Sequence, residues 1–175
     1  MNQLINRKPI ITERLTVRAI EPEDWAAVRA IWEDFSKTEY RIYDTPKNTD
    51  ADDVKRRIFR WAEATHSGNA HVFFAVCLEG AVIGFISMNE RNEGYELGYG
   101  FLSAYHGKGY ARESLSAVFD YARHLGAKKI FAGTALKNLP SERLLERLGF
   151  KLVGTENVSF YKDSSFEGGN FEKEL

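Results

Sequence analysis

Between Tyr95 and Ala111 the chain reads Tyr-Glu-Leu-Gly-Tyr-Gly-Phe-Leu-Ser-Ala-Tyr-His-Gly-Lys-Gly-Tyr-Ala, and a helical pattern follows directly. An apolar strand that runs through a glycine-bearing turn into a helix collects several unbonded backbone N–H groups at the positive end of that helix. Such a place holds a phosphate. Glycine at 107 and 109 lets main chain approach a ligand without a β-carbon in the way, and Lys108 and Arg112 add charge. An ordinary tight turn is the alternative reading of the same residues. Arg112 stands where a third glycine would complete a dinucleotide fingerprint, and no Gly-Lys-Ser/Thr triplet marks a P-loop.

Other residues carry chemical potential of a different kind. Glu96 is the one acid within the central apolar strand, where partial desolvation would raise a carboxylate towards neutrality and suit it to general base catalysis. Its alternative is a strand glutamate paired with a surface cation. Asn138 and Ser141 lie between a strand and a helix and read, taken alone, as turn or cap residues. Cys77, the single cysteine, sits in an apolar strand and reads as a buried structural thiol. His66, His71, His106 and His124 are scattered without zinc-ligand spacing, so no metal is expected.

The elements that must position these groups follow from periodicity. Leu15 to Ala19 reads as a strand, and Glu21-Pro22-Glu23-Asp24 opens a helix carrying Trp25, Val28, Ile31, Trp32 and Phe35. A second helix runs from about Thr49 to Gly68, with Val54, Ile58 and Trp61 on one face. Val72 to Leu78 and Ala81 to Met88 form a hairpin about Glu79-Gly80, and Tyr95 to Leu102 is a third run of that kind. A long helix then ends at Gly126. Lys129 to Thr134 is a short strand, Pro140 to Leu148 a helix, and Phe150 to Thr155 and Asn170 to Leu175 are the last strands. Ser36 to Asn48 and Asn157 to Gly169 remain as long loops. The alternation describes one α/β domain over 1–175, a mixed sheet with helices packed against it.

Composition narrows the function classes. With 24 basic against 25 acidic residues and a formal net charge of -1, no bulk field favours nucleic acid or an anionic membrane. No apolar run approaches the roughly 20 residues of a membrane span, and the first residues lack a secretory pattern, so a cytoplasmic protein is expected.

The ordered motifs resemble those of the GNAT superfamily of acyl-CoA N-acyltransferases, and within it the Rim-type branch named for ribosomal-protein N-terminal acetylation. Thr12-Glu13-Arg14-Leu15-Thr16-Val17-Arg18 is similar to that branch's opening strand, and Glu96-Leu97-Gly98-Tyr99 to its fourth. Tyr105 to Ala111 with Arg112-Glu113 resembles its phosphate loop, and Asn138-Leu139-Pro140-Ser141 with Leu144 to Phe150 its closing signature. The resemblance implies the GNAT fold, a mostly antiparallel twisted sheet of about six or seven strands flanked by about four helices, with a splayed parallel pair that binds acetyl-CoA. It further implies that Phe101, Leu102 and Ser103 pair with the pantetheine arm and that His106, Gly107, Lys108, Gly109, Tyr110, Ala111 and Arg112 hold the pyrophosphate. Asn138 would bond the pantetheine and Ser141 would lie near the sulfur. His106 departs from the Arg or Gln usual at the loop's first position, which leaves only the backbone contribution secure there.

The implied reaction is direct attack of a neutral primary amine on the acetyl thioester, with no covalent enzyme intermediate. Glu96 is the candidate base and backbone N–H near Leu102 the oxyanion donor. Asn138 to Phe150 lacks the tyrosine acid of many relatives, and the Rim-type resemblance, in which a serine takes its place, implies Ser141 as the proton donor to the thiolate. The acceptor is a protein N-terminal α-amine or, alternatively, a small-molecule amine such as a polyamine, amino acid or aminoglycoside. A non-catalytic CoA-binding sensor is the reading from another class. The protein is expected as a monomer or homodimer, with no nucleic-acid or membrane partner.

Overall fold

Alternating side chains at Leu15, Val17 and Ala19 bury one face of a strand, and the same period recurs along the chain until eight strands form one sheet. The structure, a computed structural model, describes residues 7–175. The strands are β1 (Ile10–Ile11), β2 (Leu15–Ala19), β3 (His71–Leu78), β4 (Ala81–Arg91), β5 (Gly94–Phe101), β6 (Lys129–Ala135), β7 (Lys151–Tyr161) and β8 (Ser164–Glu174). They lie in the order β1-β2-β3-β4-β5-β6-β8-β7, and among these neighbours only β5 and β6 run parallel. Four α-helices connect them: α1 (Trp25–Ser36), α2 (Ala51–Ser67), α3 (Tyr110–His124) and α4 (Leu139–Arg147).

Each face of the sheet has its own apolar cluster. On one, Leu115, Val118, Phe119 and Ala122 of α3, Leu145 of α4 and Leu148 just past it pack on Val72, Phe74, Ile86, Leu97 and Ile130. On the other, Val28 and Trp32 of α1 meet Val54, Ile58 and Ala62 of α2 over Phe73, whose ring stacks on Trp61 at 4.4 Å between centroids. Fully burying one such aliphatic side chain contributes about 1.5–3 kcal/mol. A bidentate pair from Arg18 to Asp24, both bonds 2.8 Å, fixes the chain's entry into α1.

Two expectations need correction. Eight strands are present rather than six or seven, the addition being the two-residue β1. Asn157 to Gly169 is no loop: β7 and β8 extend through it as a hairpin turning at Lys162 and Asp163. Every β7 residue is exposed or half-exposed, so pairing with β8 rather than burial defines that strand. The connection after α1 is also ordered in part, with a 3₁₀ turn at Glu39–Tyr43.

Candidate acetyl-CoA and acceptor site

β5 and β6 pair over Gly94–Lys129 to Leu97–Ala132 and then part. Beyond that point β5 continues against β4 while β6 continues against β8, so a slot opens between them. Main-chain polarity within the slot follows from one bond. The Leu102 N–H donates to Ile83 O at 3.0 Å, and strand alternation therefore turns the Tyr99 and Phe101 amides away from β4 and into the slot. The same bond commits the Leu102 N–H itself, so a main-chain oxyanion donor near Leu102 would have to be its neighbour Phe101. Ser103 is committed too: its N–H donates to Asp34 Oδ2 at 2.7 Å and its hydroxyl to Asp34 Oδ1 at 3.0 Å. Of the three residues expected to pair with pantetheine, Phe101 alone offers the slot a main-chain N–H. Its carbonyl meets His106 Nε2 at 3.0 Å, and because a carbonyl only accepts, that nitrogen carries the proton. The His106 ring is thus turned back to the strand, away from the loop.

The turn that follows is built to present donors. Gly107 and Gly109 have φ of 73° and 83°, in the left-handed region, and both are exposed. The N–H groups of Gly107, Lys108, Gly109, Tyr110, Ala111 and Arg112 meet no acceptor among the described residues, and they converge on the N-terminus of the 15-residue α3. Lys108 and Arg112 are exposed beside them. From below, the turn is braced by residues far away in sequence. Glu113 accepts from the Thr12 hydroxyl at 2.6 Å, from the Arg14 N–H at 2.8 Å and from Arg14 Nε at 2.8 Å. Arg14 Nη1 also donates to Lys108 O at 3.0 Å, and its guanidinium lies 4.5 Å from the Tyr110 ring centroid. Burial by itself would push the Glu113 carboxyl up, but the bonds from Thr12 and Arg14 outweigh it and hold the group below the ordinary glutamate range. Arg14 entered the sequence reading only as part of a strand motif; its bracing role has no local signal, because its partner is 99 residues on.

The other end of the slot faces α4. Asn138 is the N-cap of that helix, yet its carboxamide makes no cap hydrogen bond and remains available to a ligand, unlike an ordinary capping asparagine. Ser141, half-buried in the first turn, lies 2.6 Å through its Oγ from the Tyr99 hydroxyl. Burial pushes the Tyr99 phenol up, with the Ser141 bond opposing it, so the phenol stays protonated. Sequence reading missed Tyr99, whose place on the strand had marked it only as one residue of a motif.

Glu96 lies on the opposite face, the one that α1 and α2 pack against, at a point near the start of β5 that stays open to solvent. Its side chain is 53% exposed and pairs with Arg91 at 3.6 Å, while the Arg91 guanidinium lies over Phe131. The desolvation expected for it is therefore absent. Alternate residues of a strand face opposite sides, and Glu96 takes the open side because Tyr95 and Leu97 take the core. On this side Tyr43 meets the Phe166 ring at 5.2 Å, and together they wall a cavity of about 380 Å³ that Lys137, next to Asn138, also lines. Cys77 is buried on β3, and burial pushes its thiol up, as suits an inert structural residue. Among the described residues no group of three metal-ligating side chains converges, and no helix is long and apolar enough to cross a membrane.

A parallel pair that parts to leave a slot, with a glycine turn of unbonded N–H groups at one end and a serine at the other, is the arrangement expected of an acyl-CoA-binding fold. Residues 14–151 match the acetyltransferase (GNAT) domain family, and the chain belongs to that family of acetyl-CoA-dependent acetyltransferases. An uncharacterized N-acetyltransferase p20 of Bacillus licheniformis is 31% identical over 150 residues, covering 83% of each chain. The fold is shared with the ribosomal-protein-S5-alanine acetyltransferase of Vibrio fischeri, at a TM-score of 0.83 and 20% identity over 96% of this chain and 97% of that one. It is shared also with RimL, a ribosomal L7/L12 α-N-protein acetyltransferase in complex with coenzyme A, at a TM-score of 0.84 and 16% identity over 96% and 98%.

Proposed function

We propose that this protein transfers the acetyl group of acetyl-CoA to a protein N-terminal α-amine in the manner of the Rim-type branch. The observation that carries the reading is the parted β5–β6 ladder ending at the unbonded N–H row of Gly107 to Arg112. Those N–H groups hold the pyrophosphate, the Phe101 N–H and the Asn138 carboxamide hold the pantetheine, and the thioester comes to rest near Ser141. The amine arrives over the open face. It attacks the thioester carbonyl, the N–C bond forms as the C–S bond breaks, and the electron pair leaves on sulfur. The surplus ammonium proton passes to Glu96 through water, and the sulfur receives its proton from Ser141, which solvent replenishes.

The exposure of Glu96 supports an α-amine in particular. An α-amino group titrates at about 7.7–8.0 and a lysine amine at about 10.4, so the former is already partly neutral near pH 7 and asks far less of a base that solvent reaches freely. The name of the Vibrio fischeri protein agrees with that acceptor class. A thiol-release assay with acetyl-CoA tests the reading against peptides with free and blocked N-termini, polyamines and aminoglycosides. Free N-termini should be turned over, and blocked peptides with internal lysine should not. Turnover of polyamines alone would place the acceptor among small molecules, and binding without any release would make the protein a sensor. Glu96→Gln should lower kcat/KM about tenfold at pH 7, with the loss shrinking towards pH 9 as the amine deprotonates unaided.

A further inference from the structure

Ser141 can serve the leaving sulfur only if its single proton points there, and a serine hydroxyl has one proton to give against two lone pairs. Its orientation is therefore decided by whatever else it touches. One contact is present: the Tyr99 hydroxyl, 2.6 Å from Ser141 Oγ, on the strand residue two places beyond the last β5–β6 pair. If Ser141 donated to Tyr99, no proton would remain for sulfur. If Tyr99 donates, the serine proton is left over and polarised outward, because hydrogen bonds in a chain strengthen one another.

We propose that Tyr99 is the positioning residue of the sulfur end, donating its hydroxyl to Ser141 Oγ so that Ser141 presents its proton to the departing thiolate. This rests on the functional reading given above. Two further features bear on it. Tyr99 is a phenol held protonated by its sheltered position, so it can act as a donor across the working pH range. Its main chain belongs to the stretch of β5 that faces the slot, so the residue that lines the slot also orients the serine beside it. The division of labour explains how a chain with no tyrosine in α4 recruits one from the neighbouring strand. No proton leaves Tyr99 in the step; it contributes direction alone.

Tyr99→Phe removes the hydroxyl and keeps the ring in place. Two readouts test the role. The first is the titration of the thiol of bound coenzyme A, followed by thiolate absorbance: the wild type should ionise that thiol at lower pH than Tyr99→Phe does, and Ser141→Ala should behave as Tyr99→Phe. The second is kinetic. In Tyr99→Phe, kcat should fall about five- to tenfold, the loss of one hydrogen bond, while KM for acetyl-CoA changes less than twofold. The double variant should be no slower than Ser141→Ala alone, since both changes remove one shared device. An unchanged bound-thiol titration in Tyr99→Phe, or full additivity of the two substitutions, overturns the role of Tyr99 and leaves acetyl transfer standing. Failure of the wild type to bind coenzyme A at all overturns the functional reading and this proposal with it.

Discussion

At one end of the slot the Gly107–Arg112 turn offers a ligand main-chain N–H groups, while Thr12, Arg14 and Glu113 brace the turn from behind. At the other end the offer is made by side chains, Asn138 and Ser141, with one hydroxyl contact behind the serine. The contrast matches the chemistry. A diphosphate is a large, diffuse charge that many weak donors can hold, and it undergoes no change during the reaction. A sulfur that gains charge as a bond breaks needs a single donor pointed the right way. The phosphate end should therefore be sensitive to backbone shape and insensitive to individual charges. For the sulfur end the order is reversed.

Substitutions at the phosphate end test this directly. Gly109→Val should give the largest effect, weakening acetyl-CoA binding by about tenfold or more in calorimetry. A β-branched residue is forced from a φ of 83°, and its β-carbon would stand 3.3 Å from Arg14 Nη2. A smaller loss, about threefold, is expected for Glu113→Gln, which leaves Arg14 without its carboxylate. Its pH dependence sharpens the point. The folded Glu113 carboxyl lies below its ordinary value of 4.5, so the brace is complete above that value and is lost as the pH falls through the lowered one. Wild-type affinity should converge on that of Glu113→Gln in that acid range and exceed it at neutral pH. Least of all, Lys108→Ala should weaken binding only about twofold, as an exposed charge near a phosphate does. A reversed order of Lys108→Ala and Gly109→Val would show that side-chain charge, rather than main chain, holds the diphosphate.

Periodicity made the framework legible where burial is one-sided. Leu15 to Ala19 alternates because one face of β2 meets α3 and the core, and its observed bounds coincide with those expected. The same holds for the onset of α3 behind Gly109 and the end of α2 before Gly68. It fails for β7, whose side chains meet solvent on both faces: Val158 and Phe160 alternate with Asn157 and Ser159, but over too short a stretch to mark a strand by themselves. The site divides in the same way. The turn proposed for the diphosphate is local in sequence, and its glycines announce it. The Arg14–Glu113 brace and the Tyr99–Ser141 pair join residues 99 and 42 positions apart, so no window along the chain contains them. Glu96 was visible as the acid within the strand, but which face it takes depends on the neighbours β5 acquires on folding.

The short β5–β6 ladder has a mechanical consequence. Among the described residues, four residue pairs and the Lys128 N–H to Glu93 O bond just before them stitch the plate β1 to β5 onto the plate β6, β8 and β7, and beyond Leu97 the strands part. A ligand whose amides reached across that opening, as proposed for the pantetheine arm, would act as mortar between the two plates and stiffen a built-in line of give.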